Sequence, residues 1–270
     1  MPLPLLRAAN ATNLDPLPDP YLGLKNSRYG VRFFPGQLVM FAGPPGGGKT
    51  MLMLHMVLKM GVSCLYFSAD SDERTVCCRA ASALTGHPLR SVYDAWEFGL
   101  FRDMYGSSLS QSPVRFEFEP TDPTTADITN ALEAYCEVQG EYPRVVVIDT
   151  LTNTEAEGKD EWGGYKQTAK DLHWLARRTR ACVFVLCHTS EQNLDHLLSA
   201  PPRTAIQGKV SQLPSVIITM ATADGYMFLG VVKNRFGVQD PAAQDPVKFV
   251  VDLSRVRIDD TRMDGGQYGA

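Results

Sequence analysis

Seven short β-rich runs punctuate the chain: GQLVMFAG, SCLYFSAD, RFEFEP, RVVVIDT, ACVFVLCHT, SVIITMAT and MFLGVVKN. Several are apolar throughout rather than alternating, the pattern of strands covered on both faces of a parallel sheet. Between them lie stretches with helical spacing: KTMLMLHMVLKMG, SDERTVCCRAASALTG, TTADITNALEAYCEVQG and GGYKQTAKDLHWLARRTR. Ser71 and either Thr124 or Thr125 are expected N-caps, and three of these helices close near a glycine. The order β-α-β-α-β-α-β-α-β, followed by two late strands, predicts an α/β fold. Its central sheet is mainly parallel, flanked by helices on both faces, with a C-terminal antiparallel hairpin. In such sheets ligands bind beyond the carboxyl ends of the strands.

Residues 1–30 are rich in proline and glycine with few apolar clusters, so they are expected as an extended arm. Residues 31–262 form the expected domain and 263–270 a flexible tail. A 270-residue chain with 44% hydrophobic and 21% charged residues buries a sizeable core and has an ordinary globular composition. The opening MPLPLLRAAN is too short an apolar stretch for a secretory signal, and no run reaches the ~20 apolar residues of a membrane span. The sequence therefore implies an intracellular protein without a membrane partner. Six cysteines without CxxC spacing, mostly in apolar segments, imply buried reduced thiols rather than zinc or disulfides. A net charge of −4 does not advertise a non-specific nucleic-acid binder, which usually carries a basic face.

The chemistry is concentrated at FAGPPGGGKT, which fits G-x-x-x-x-G-K-[ST]. Gly43, Pro44, Pro45, Gly46, Gly47 and Gly48 make a turn whose backbone N–H groups cradle phosphate at the start of a helix. Lys49 supplies a charge for the β and γ phosphates and Thr50 a hydroxyl for Mg2+; Met51 completes the expected nucleotide contacts. RVVVIDT delivers Asp149 at a strand end as the second expected Mg2+ ligand. Asp70, leaving CLYFS, is the first choice for the group that activates water, with Glu73 as the alternative; Asp72 and Glu73 also suit a helix first turn. His188, at the end of ACVFVLCHT, is placed to sense the γ phosphate. The expected cofactors are ATP and Mg2+.

These residues resemble the RecA-like ATPases, most closely the DnaB-type replicative helicase core and its relatives of the KaiC and RadA kind. FFPGQLVMFAGPPGGGKT is similar to the P-loop strand of that group, RVVVIDTL to its Walker B strand, and VFVLCHTS to its sensor strand, with His188 at the sensor position. Asp70 stands where those proteins carry a catalytic glutamate; the shorter side chain implies a differently placed water or slower turnover. GVVKNRFG is similar to the segment whose lysine and arginine reach the next subunit's ATP, which implies that Lys233 and Arg235 act in trans. The resemblance covers about Pro35 to Leu253 and no amino-terminal primase-interacting domain. It implies a homo-oligomer, a hexameric ring or filament, acting on single-stranded or branched DNA. The location implied is the cytoplasm of a bacterium, as a host protein or a phage protein.

In ring-forming relatives the loops after the Walker B and sensor strands face the channel. Trp162, Arg203 and Lys209 are the candidate DNA contacts there, although Glu155, Glu157, Asp160 and Glu161 outweigh Lys159 in the first loop. Two other functions stand beside the DNA-processing ATPase. One is a metal-dependent nuclease using Asp70, Asp72, Glu73 and Asp149. The other is a KaiC-like regulatory ATPase acting on protein partners.

Overall fold

The structure, a computed structural model, describes residues 15–151, 161–190 and 199–260. Six strands form the parallel part of one sheet: β1 (Leu38–Gly43), β2 (Cys64–Ser68), β3 (Val114–Glu117), β4 (Val145–Asp149), β5 (Cys182–His188) and β6 (Val216–Ala223). Three more, β7 (Tyr226–Asn234), β8 (Val247–Asp252) and β9 (Arg257–Asp259), extend it antiparallel. The spatial order is β3-β2-β4-β5-β1-β6-β7-β8-β9. Every residue of β1, β2 and β4 is buried, which is why those runs carry no polar alternation.

The expected mainly parallel sheet is present, and β6 and β7 form the expected hairpin. The sheet continues past it through β8 and β9. The burial of β8 alternates as one face meets the core, but only three residues follow in β9, so this edge gave a weak pattern.

The helices are α1 (Leu22–Asn26), α2 (Lys49–Met60), α3 (Glu73–Thr85), α4 (Leu89–Glu97), α5 (Phe101–Ser110), α6 (Thr125–Gln139) and α7 (Glu161–Thr179). One sheet face packs against α2 through Met53, Met56 and Val57, and the other against α6 and α7 through Ile128, Leu132, Leu172 and Leu175. The cap of α3 is Asp72 rather than Ser71: its carboxylate accepts hydrogen bonds from the backbone N–H and the hydroxyl of Thr75. Thr124 caps α6 in a reciprocal capping box with Asp127. Between α3 and β3 the chain inserts α4 and α5, which build a satellite core around Val92, Ala95 and Tyr105 against Cys78 and Ala81 of α3.

The stretch from Asp15 to Gly30 is packed rather than extended, which corrects the expected arm for the described residues. Leu17, Tyr21, Leu24 and Tyr29 are buried in the main core, and the Leu17 N–H donates to the carbonyl of Phe33 at 2.8 Å. Leu17, Tyr21 and Leu24 fall at helical spacing, but Pro16, Pro18 and Pro20 bar a helix through them, so the pattern gives no element and hides their burial. Tyr21 stacks on His55 of α2, with its hydroxyl 2.7 Å from Nδ1, and the Leu22 N–H donates to the Asp260 carboxylate. Residues 1–14 and the expected tail from Met263 lie outside the described residues.

Burial, reinforced by Lys59, lowers the pKa of His55 from 6.5 to about 4. The unfolded chain takes up this proton near pH 6.5 while the folded chain resists it, so the unfolded state binds more protons in between and stability falls as pH drops. His55 alone removes up to about 3 kcal/mol by pH 4. Denaturant midpoints measured between pH 7 and 4.5 should fall steeply in wild type and less steeply in His55→Gln.

Candidate active site

The P-loop sits where β1 hands over to α2, and two glycines there are required by geometry. Gly48 caps α2 in the left-handed region at φ +87°. Gly43 lies so close to β6 that a Cβ would meet the Met220 carbonyl oxygen at 2.9 Å. The Thr222 hydroxyl donates to the Gly47 carbonyl at 3.0 Å, so β6 braces the loop from beneath.

A cleft of about 570 Å³ opens above this loop, lined by Pro45, Gly46, Gly48, Lys49, Thr50, Met51, Asp70 and His188 among others. The structure thus brings together the phosphate loop and one strand-end residue from each of β2 and β5. Glu73 does not line the cleft; it is exposed in the first turn of α3, leaving Asp70 as the carboxylate facing the phosphate region. Asp72 is committed to its cap.

Lys49 is 8% exposed and folds back over the loop, its Nζ donating to the carbonyls of Gly43 at 3.2 Å and Pro44 at 3.0 Å. Burial lowers its pKa, opposed by Asp149 and Asp70. Nζ also lies 3.2 Å from His188 Nδ1. An ammonium only donates, so Nδ1 is the acceptor and the neutral imidazole carries its proton on Nε2. Burial and the lysine charge both lower the His188 pKa, in keeping with a neutral ring.

Asp149 is 2% exposed at the end of β4. Burial raises its pKa; hydrogen bonds from Tyr66 and Thr50 and the charge of Lys49 oppose that rise, while Asp70 adds to it. The Thr50 hydroxyl lines the cleft and the buried Asp149 carboxylate ends the neighbouring strand; both are hard oxygen donors, a set suited to Mg2+. Among the described residues no group of three or more His, Cys, Asp or Glu side chains forms a metal cage.

Lys233 and Arg235 are elsewhere. β6 runs parallel to β1 with Val216 beside Val39, and β7 returns so that Asn234 pairs with Val216. The KNRFG turn therefore lies at the start of the parallel strands and the P-loop at their end, about 15 Å apart along the sheet. Lys233 Nζ donates to the carbonyls of Ser211 at 2.8 Å and Gln212 at 2.7 Å, and Arg235 donates to Gln212 at 2.9 Å. Burial, with Arg235 and Arg203 nearby, lowers the Lys233 pKa to about 8. Arg203 opens a 3-10 turn and belongs to this basic group. The side chains of Trp162 and Lys209, and the acidic residues 155, 157 and 160, lie outside the described residues.

Sequence patterns missed Arg79, Leu89, Leu253 and Val256, which also line the cleft. Arg79 comes from inside α3, where helical spacing gave it no distinction. Leu89 begins α4, while Leu253 and Val256 form the β8–β9 turn; neither of those elements was anticipated.

Against known proteins, the family model described as AAA domain matches residues 26–193. The chain is 34% identical over 253 residues to the Gene 65 protein of Mycobacterium phage L5, covering 90% of this chain and 92% of the phage protein. It is 31% identical over 229 residues to the Gene 65 protein of Mycobacterium phage D29, covering 81% and 98%. Among solved structures, one described as an ATPase domain superposes with a TM-score of 0.79 at 15% identity, covering 96% of each chain. A DnaB-like replicative helicase, described with its primase interactions, superposes with a TM-score of 0.76 at 15% identity over 93% of this chain; the chain spans 63% of that helicase. Those two likenesses concern the fold alone, the RecA-like arrangement of a mainly parallel sheet flanked by helices. Family match, phage relatives and phosphate-loop geometry converge: the chain belongs to the AAA domain family.

Proposed function

We propose that the chain is an ATP-dependent DNA-processing ATPase of helicase, translocase or recombination type. Copies assemble head to tail, as a hexameric ring or filament, with ATP at the subunit junctions. The observation that carries this reading is the placement of Lys233 and Arg235 at the opposite edge of the sheet from their own P-loop. A fixed sheet cannot fold one edge onto the other, so these cations meet a phosphate only on a neighbouring copy. The fold shared with the solved ATPase domain and the DnaB-like helicase supports the same assembly, and the mycobacteriophage relatives support a phage protein working inside a bacterial host.

Within one site, backbone N–H groups of residues 46–50 bind the phosphates while Lys49 exchanges the Gly43 and Pro44 carbonyls for phosphate oxygens. Thr50 and Asp149 would hold Mg2+, which when bound neutralises charge on the β and γ phosphates. Asp70 accepts a proton from the attacking water, and His188, neutral beside Lys49, registers departure of the γ phosphate. Arg235 from the next copy stabilises the charge that develops as the γ phosphate leaves.

Single-stranded DNA should raise the ATPase rate several-fold and bind at low salt, with affinity falling as salt rises. Turnover unchanged by single-stranded and branched DNA, with no binding at low salt, would sink the DNA assignment and favour the KaiC-like regulatory ATPase, a reading supported by the net charge of −4. The nuclease alternative is disfavoured because Asp72 is occupied in capping α3 and Glu73 does not line the cleft.

A further inference from the structure

The Asp149 carboxylate is held from the adjacent strand. β2 and β4 run parallel with Tyr66 beside Val147 and Ser68 beside Asp149. Tyr66 and Asp149 therefore share the sheet face covered by α2, and the phenol reaches one step along to donate its proton to Asp149 Oδ2 at 2.7 Å. The ring is 1% exposed and packs 5.1 Å from the Phe116 ring. Phenylalanine would satisfy that packing equally well, so the hydroxyl is the part that packing does not explain. Burying it costs free energy unless it is hydrogen-bonded. Bonded to an ionised carboxylate at this distance, it makes a short charge-assisted contact. Turning Asp149 away would strand the hydroxyl in an apolar wall, so the pair fixes the carboxylate's orientation. Neither Tyr66 nor Asp149 is among the residues lining the cleft, where Thr50 stands, and Tyr66 reaches the site only through the Asp149 carboxylate.

We propose that Tyr66 is a positioning residue for the metal–nucleotide site, clamping Asp149 in the orientation in which it and Thr50 receive a divalent cation. This inference rests on the ATPase reading above and adds to it a residue that no phosphate-loop pattern contains. The clamp matters when the metal arrives: a carboxylate free to rotate must be ordered at that moment, whereas one already held is not. Loss of the hydroxyl should therefore weaken the metal's contribution to nucleotide binding and leave the phosphate loop's own contribution alone.

The test uses the full chain, a fluorescent ADP analogue and magnesium chloride. In Tyr66→Phe, the magnesium concentration giving half of the metal-dependent gain in nucleotide affinity should rise roughly tenfold. Affinity in EDTA and the melting temperature should stay near wild type. Tyr66→Met repeats the hydroxyl deletion with an adaptable side chain should the phenylalanine variant fail to fold. With Asp149→Asn already present, adding Tyr66→Phe should move the magnesium half-point by less than about twofold, because contacting residues in one chain of action are not additive. An unchanged half-point in Tyr66→Phe, or an equal loss of affinity with and without magnesium, overturns the clamp alone. A wild-type protein whose nucleotide affinity ignores magnesium overturns the ATPase reading instead.

Discussion

Lys49→Ala is expected to lower ATP turnover by about 10²- to 10³-fold, the loss that follows removal of one preorganised charge-stabilising donor. The fold should survive the change. Nζ is held in the free protein by two backbone carbonyls and one imidazole nitrogen, and burial depresses its pKa, so the charged form is disfavoured where it stands. A lysine kept charged against that penalty serves a ligand rather than the core. Thermal unfolding should accordingly show a variant at least as stable as wild type, whereas adding nucleotide should raise the wild-type melting temperature much more than the variant's. A variant that keeps near-normal turnover would remove Lys49 from the reaction.

Arg235→Ala should cost about 10³-fold or more in turnover, the scale of a cation supplied across an interface to a departing phosphoryl group. Its structural role within one chain is slight, a single hydrogen bond from an exposed side chain to the Gln212 carbonyl, so melting temperature should barely change. The decisive measurement mixes two inactive proteins. Each junction in a head-to-tail assembly takes its P-loop from one copy and its arginine from the next. An equal mixture of Lys49→Ala and Arg235→Ala therefore contains intact junctions wherever an Arg235→Ala copy donates the P-loop and a Lys49→Ala copy donates the arginine. Random assembly should restore about one quarter of the wild-type rate if junctions fire independently. No recovery on mixing, with assembly confirmed by light scattering, would mean that the site is not shared.

The parts of this site legible in the sequence are those written locally. An apolar run ending in a charged residue delivers that residue to the carboxyl edge of a buried strand, so Asp149, Asp70 and His188 were placed by the same logic as the P-loop. What stayed hidden depends on contacts between distant segments. An aromatic residue in CLYFS reads as core, and only the register of β2 on β4 reveals that the hydroxyl of Tyr66 meets Asp149. Leu253 and Val256 reach the cleft on a turn between two edge strands, and Arg79 from inside α3. The helices α4 and α5 were obscured by Pro88, Gly99 and Gly106 and by a small core that belongs largely to themselves. Burial of the segment from Asp15 rests on separated side chains, Leu17, Tyr21, Leu24 and Tyr29, in a stretch where Pro16, Pro18 and Pro20 forbid the helix that the first three would suggest.

The grip of that segment on α2 has a mechanical side. Tyr21 presses on His55, and the neighbouring Leu22 N–H is tied to Asp260 just beyond β9, so both ends of the described chain are fastened beside α2, the helix that opens at Lys49. A pull applied at either end of the described chain would therefore bear on contacts beside α2, the Tyr21–His55 stack and the Leu22–Asp260 hydrogen bond.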